Sequence, residues 1–193
     1  MLCFMTTTPP RVLLASERAS QPWPDGGGMT KQVVIYPAVA DTSNFDWRVS
    51  IATVDGESKF SSYPGVTRWL MPLGADGLSL RIEGEVLYLP AREAFAFGGE
   101  ASVNATRIKN PSLDVNLMVR TTYGRGSLLA LVLHDETAIA AAPAEFVVIL
   151  VLDGQFSLDD TELTELDAVA LEPGSDAVLM GDGVIAIARI TTA

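Results

Sequence analysis

The sequence predicts an all-β fold, a barrel or a sandwich, on three observations. Short apolar or alternating runs recur along the chain. Gly, Pro, Asp and Asn separate most of them. No window of about fifteen residues carries an apolar stripe at i, i+3, i+4, i+7, so helices should be few and short.

Taken in order, Met1–Pro10 reads as a disordered extension, with Met5 as an alternative start, and residues 11–193 as one domain. The first strand signal is Arg11–Ala15. The stretch Pro22-Trp23-Pro24-Asp25-Gly26-Gly27-Gly28 then raises the question of a phosphate loop. A Walker loop needs Gly-Lys-Ser/Thr ahead of a helix, and a dinucleotide loop needs Gly-x-Gly-x-x-Gly between strand and helix. Here the glycines run into Thr30–Tyr36, which reads as a strand, so they suit close backbone approach instead. Trp47–Val54 alternates, and Pro64-Gly65 has type II turn chemistry ahead of Trp69–Leu73. Gly74–Gly77 leads to Leu78–Ile82, and Glu85–Leu89, Ala94–Phe97, Asp114–Arg120 and Ser127–His134 follow. Phe146–Leu152 ends at Asp153-Gly154, read as a turn. Asp167–Leu171 ends at Glu172–Asp176, and Gly181–Gly183 reads as a turn before Val184–Ile190. Twelve short strands at this spacing fit a barrel or sandwich.

An internal echo divides the domain into two related, intertwined halves, about 11–120 and 121–193. Leu89–Ser102 matches Leu163–Asp176 at an offset of 74, with Leu89 on Leu163, Ala94 on Ala168 and Ala96 on Ala170.

Composition restricts partners. A net charge of −11, from 24 acids and 13 bases, repels nucleic acid and anionic membrane. The single cysteine, Cys3, excludes an internal disulfide and fits a reducing compartment. The first residues lack the length of a secretory apolar region, and no apolar run approaches the ~18–20 residues of a membrane helix. A barrel metal site draws on two or three histidines, and His134 is the only one, so no metal or other cofactor is expected. No Gly-x-Ser-x-Gly supports nucleophilic catalysis.

Two strands carry a polar face with an arginine. In Trp47–Val54, alternation puts Trp47, Val49, Ile51 and Thr53 on one side and Arg48, Ser50, Ala52 and Val54 on the other. In Asp114–Arg120, Val115, Leu117 and Val119 oppose Asp114, Asn116, Met118 and Arg120. A solvated sheet face explains both patterns. A lumen lined by Arg48, Ser50, Asn116 and Arg120 is the alternative, favoured by Ala52 and Met118 on the same faces. Arg68, after the turn, is a third guanidinium, and Glu100, after Gly98-Gly99, is a candidate partner for one of them.

Five stretches, PWPDGGGMTKQ, FDWRVSIATVDGESKFSSYPGVTRWLMPL, LSLRIEGE, FAFGGE and LDVNLMVR, together resemble the HutD/Ves family of cupin-fold proteins between about Gln21 and Arg120. The resemblance implies a two-cupin (bicupin, RmlC-like) β-barrel or jelly roll in one chain with few short helices. It also implies a cytoplasmic bacterial protein with a small-molecule binding or regulatory role in histidine utilisation or stress response, and formylglutamate or urocanate as a candidate ligand. It supplies no enzymatic activity. Matching the motifs residue by residue carries over Trp23, Thr30, Trp47, Arg48, Ser50, Arg68, Asn116 and Arg120 as pocket residues. The chain departs from the family's Trp-Lys-Asn-Gly-Gly-Gly at Pro24-Asp25, from Phe-Asp-Gly at Phe97-Gly98-Gly99, and from Asp-Phe-Asn at Asp114-Val115-Asn116. An acid in place of a cation at the mouth points to a different ligand.

Three functions fit. The first is a binding protein for a small carboxylate, gripped by arginine forks. The second is a metal-independent isomerase or hydrolase of the same ligand class, with Glu100 or Asp114 as base. The third is an interaction role, with homodimers formed through Trp69, Tyr88 and Phe95 on an outer sheet.

Overall fold

The computed structural model describes residues 8–23 and 26–193. The expected extension falls largely, and the Pro24-Asp25 departure wholly, outside the described residues. Apart from one 3-10 turn at Ala15–Glu17, the described elements are strands. They are β1 (Arg11–Leu13), β2 (Ser20–Pro22), β3 (Gly28–Tyr36), β4 (Trp47–Val54), β5 (Val66–Pro72), β6 (Leu78–Ile82), β7 (Glu85–Leu89) and β8 (Phe95–Gly98), followed by β9 (Val103–Thr106), β10 (Ser112–Arg120), β11 (Gly124–Leu133), β12 (Glu136–Ala140), β13 (Glu145–Leu158), β14 (Thr161–Leu163), β15 (Ala168–Leu171) and β16 (Asp176–Thr192).

Antiparallel pairing gathers them into three sheets. The first runs β2-β3-β4-β10-β5-β8, and a small one runs β7-β6-β9. The second large sheet runs β1-β15-β13-β16-β11, with β12 on β16 and β14 on β13. None of them closes on itself, so the closed barrel expected from the sequence is replaced by open sheets packed together. The main core lies between the two large sheets. Trp47, Val49 and Ile51 of β4 and Val115, Leu117 and Val119 of β10 meet Phe146, Val148 and Leu150 of β13 and Ala186, Ala188 and Ile190 of β16. Each strand supplies alternate residues, as a half-buried pleat requires. Burying such side chains stabilises by about 1.5–3 kcal/mol apiece.

Two predicted turns are not turns. Asp153-Gly154 lies inside β13, and Gly181–Gly183 inside β16, where the two strands pair with a register shift between Val151 and Asp153. Gly154 and Gly181 take positive φ values of 89° and 137°, and a Cβ on either would strike the partner backbone. The glycines therefore let two long strands bend against each other without breaking.

The two segments of the echo lie in the following pairings. β5 pairs with β8 and β10, while β6 pairs with β7 and β9. In the second half, β13 alone takes both parts: its first stretch pairs with β15 and the end of β16, and its last with β14 and the start of β16. Leu89 opposite Leu78 and Leu163 opposite Phe156 hold corresponding places. The halves are not cleanly divided, since β1 crosses to pair with β15.

Candidate functional site

The register of β4, β10 and β5 sets three successive rungs on the face turned away from the main core. Met118 lies between Arg48 and Arg68, Asn116 between Ser50 and Leu70, and Asp114 between Ala52 and Pro72. The two arginines thus share a rung and the acid stands two rungs along. The segment Lys59–Tyr63 and the β2–β3 hairpin complete the walls of a cavity of about 480 Å³.

The glycines of the hairpin do what close approach demands. A Cβ at Gly28 would meet the carbonyl of Thr53 and the ring of Trp23, and one at Gly27 would overlap Ser58. Trp23 lies over Gly28, donates its indole N–H to Thr30 Oγ1 at 2.7 Å, and sets its edge on Phe60 at 5.7 Å. The hairpin is a wall of the cavity, not a phosphate cradle.

The charged floor is buried: Arg48 is 4 %, Arg68 5 %, Asn116 4 % and Asp114 0 % exposed. Arg68 donates through Nη2 to Asn116 Oδ1 and through Nη1 to the Ser61 carbonyl, both at 3.2 Å. Its guanidinium carbon sits 5.1 Å from the Phe60 ring centre and 5.2 Å from that of Phe97. Asn116 turns its amide N–H₂ to Asp114 Oδ2 in a short hydrogen bond, linking base to acid. Arg48 rests over Phe45 at 5.8 Å. Among the described residues neither guanidinium forms an ion pair, and Arg48 Nε, Arg68 Nε and Asp114 Oδ1 are buried without a hydrogen-bond partner.

Burial dominates the electrostatics. It pushes the Asp114 carboxyl up to about 7, against the opposing pull of the Asn116 hydrogen bond and the Arg68 charge. It brings Arg68 down to about 10, with Asp114 and Tyr63 opposing and Arg48 adding to the fall. Arg48 is lowered by burial too, opposed by Tyr63. Burial thus works against both charged forms, lowering the two guanidinia and raising the Asp114 carboxyl.

Of the residues singled out in the sequence, Trp23, Thr30, Arg48, Ser50, Arg68 and Asn116 line this cavity. Three do not. Trp47 points to the main core, stacked on Tyr36 at 5.6 Å and packed on Phe146 at 5.2 Å, as its place opposite Arg48 in the alternation requires. Glu100 is exposed in the turn after β8, its carboxylate lying over Gly98. Arg120 donates Nε to the Phe45 carbonyl at 3.1 Å, and so braces the ring beneath Arg48 from outside. The outer-sheet trio divides as well: Tyr88 is exposed, Trp69 packs against the main core, and Phe95 packs against the cluster around Phe60. Asp114, weighed in the sequence only as a base, is a floor residue, and its signal is its place two before Asn116 on the same face. Lys59, Phe60, Ser61 and Tyr63 lie outside any strand, where no periodicity marks them.

The lone histidine, His134, is exposed beside Asp182 at 3.1 Å. Among the described residues no three of His, Cys, Asp and Glu are grouped to hold a metal ion, and no helix is long and apolar enough to cross a membrane.

The HutD family model matches residues 15–187. Protein Ves of Citrobacter koseri is 29 % identical over 175 residues, covering 88 % of this chain and 87 % of its own. An uncharacterised 21.2 kDa protein from the hutC 3′ region of Pseudomonas putida is 31 % identical over 113 residues, 56 % of this chain and 57 % of its own. The solved structure of HutD from Pseudomonas fluorescens, obtained in a formate condition, superposes with a TM-score of 0.81 at 22 % identity, covering 96 % of this chain and 100 % of that one. A cupin 2 conserved barrel protein of Leptotrichia buccalis shares the fold at a TM-score of 0.54 and 9 % identity, with 98 % and 99 % covered. With nearly its whole length matched by the family model, the chain belongs to the HutD family.

Proposed function

We propose that the cavity binds a small carboxylate and that the protein is a cytoplasmic binding protein, built of two cupin units, with a regulatory role in histidine catabolism or stress response. The observation that carries the reading is the pair of buried guanidinia, Arg48 and Arg68, on one rung without an ion-pair partner. Burying a charge without a directly paired anion is costly, and an arginine fork is matched to a carboxylate, so an incoming carboxylate lowers that penalty. The corresponding places of Leu89 and Leu163 support two cupin units. The place of one relative in the hutC 3′ region supports the pathway.

The test is a thermal-shift and calorimetric screen with urocanate, formylglutamate, glutamate, formate and simple dicarboxylates. Binding tighter than millimolar, lost in Arg48→Ala, is the expected result. No binding, with Arg48→Ala indistinguishable from wild type, would sink the reading. A homodimer, also part of this reading, is checked by light scattering. One observation favours the second function, a metal-independent isomerase or hydrolase. Asp114, held near 7 in the cavity, suits a general base better than the exposed Glu100. Turnover of a bound carboxylate, abolished in Asp114→Asn with binding kept, would decide for it.

A further inference from the structure

The cavity holds its own acid. Asp114 is wholly buried at the far end of the floor, one oxygen bonded to Asn116 and the other unpartnered. Through Asn116 it is linked to Arg68, whose charge favours the ionised carboxyl. In the empty protein Asp114 is therefore the internal counter-charge of the arginine rung. A carboxylate bound on that rung would neutralise the field that keeps Asp114 ionised, and would add a like charge to the same enclosure. Both effects favour the neutral acid.

Resting on the carboxylate-binding reading, we propose that anion binding in this cavity is coupled to uptake of one proton by Asp114, so that the site exchanges its own negative charge for the ligand's. The charge of the enclosure is then the same before and after binding: an anion and a proton enter together, the equivalent of the undissociated acid. Burial raises the Asp114 carboxyl towards neutrality, which sets the pH interval to test. Among the described residues, the charged and titratable groups facing Asp114 across the cavity are Arg48 from β4, Arg68 from β5, and Lys59 and Tyr63 from the segment before β5. Among the described residues Asp114 is the one carboxyl on that floor.

Linkage is reciprocal: a ligand that makes Asp114 harder to ionise binds less well once Asp114 is ionised. The probe is sodium formate at constant ionic strength, which keeps one charge from pH 6 to pH 8.5. Its affinity, read from the emission of Trp23 against a Trp23→Phe control, should fall about tenfold or more over that interval, up to ~30-fold if only the protonated form binds. In Asp114→Asn, a neutral mimic of the protonated acid, the change should be under about twofold. Saturating wild-type protein with formate at pH 8, in lightly buffered phenol red, should take up close to one proton per chain. This second measurement stands whether or not the variant folds. Formate binding that is flat with pH in wild type, or a slope that persists in Asp114→Asn, overturns the coupling and leaves the carboxylate reading intact. Absence of formate binding at every pH, with Arg48→Ala equally inert, overturns both.

Discussion

In the second large sheet the face turned away from the main core carries Val147, Ile149 and Val151 of β13 and Ile185 and Ile187 of β16, packed solid with Phe156, Leu163 and Leu179. In the first, the corresponding face carries Arg48, Ser50, Arg68, Asp114 and Asn116 around a cavity. Both sheets pair antiparallel, so the pairing does not require the cavity or its charges. A sheet face with an apolar filling exists in the same chain. The polar floor is a departure from it that costs stability, since unpaired buried charge is unfavourable. Such local inconsistencies in an otherwise consistent fold mark sites of function.

The comparison is broken most severely by moving the chemistry of one half into the other. Ile149→Arg would set a guanidinium among the packed apolar side chains of the second large sheet. It should lose about 3–5 kcal/mol in urea unfolding or fail to fold. A loss under about 1 kcal/mol would mean the second half is no more tightly filled than the first.

The next effect is pH dependence. Asp114 is raised in the folded protein, so its contribution to stability is fully present below the unfolded carboxylate value near 4 and is lost as pH rises through about 7. Wild type should lose about 2–4 kcal/mol between pH 4.5 and pH 8 relative to Asp114→Asn. Parallel denaturation curves of the two proteins across that range would remove Asp114 as the source.

Removing the charge from the first half should do the opposite of adding it to the second. Arg48→Met should leave stability unchanged or raise it by about 1 kcal/mol, while the formate response disappears. A large destabilisation would show that Arg48 is a structural brace. A comparably small effect concerns the acid of the second large sheet. Burial alone would push Asp167 up, but the N–H groups of Ala15 and Thr164, the Thr164 hydroxyl and the Arg18 charge outweigh it and hold the carboxyl below its usual range. Asp167→Ala should cost about 1–2 kcal/mol at pH 7. That advantage of wild type should shrink as pH falls through the lowered value, the reverse of the Asp114 slope.

What the sequence revealed follows from which forces act locally. Period-two alternation is imposed by the pleat, so the two faces of β4 and β10 were readable, and with them the arginine side of the floor. Trp47 shows the limit of motif matching: carried over with Arg48, it belongs to the opposite face by alternation alone. The glycines at 154, 181 and 183 carry the chemistry of turns, but tertiary pairing kept the strands running through them. Four short strands, β2, β9, β12 and β14, escaped notice, being held by neighbours more than by their own pattern. Phe60, Ser61 and Tyr63 reach the cavity from an irregular segment whose position depends on contacts with Gly99 and Val103, distant in sequence.

The crossing of β13 and β16 bears on synthesis. β16 is hydrogen-bonded along one side to β13 and along the other to β11 and β12, and it follows all of them in the chain. On the ribosome the strands from β2 to β10 emerge with every partner of the first sheet already made. The second sheet must wait, one edge of its apolar β13 unpaired, until its last central strand arrives. The half that carries the charged cavity is thus the first that can pair, and the half that packs solid against it closes the molecule at the end.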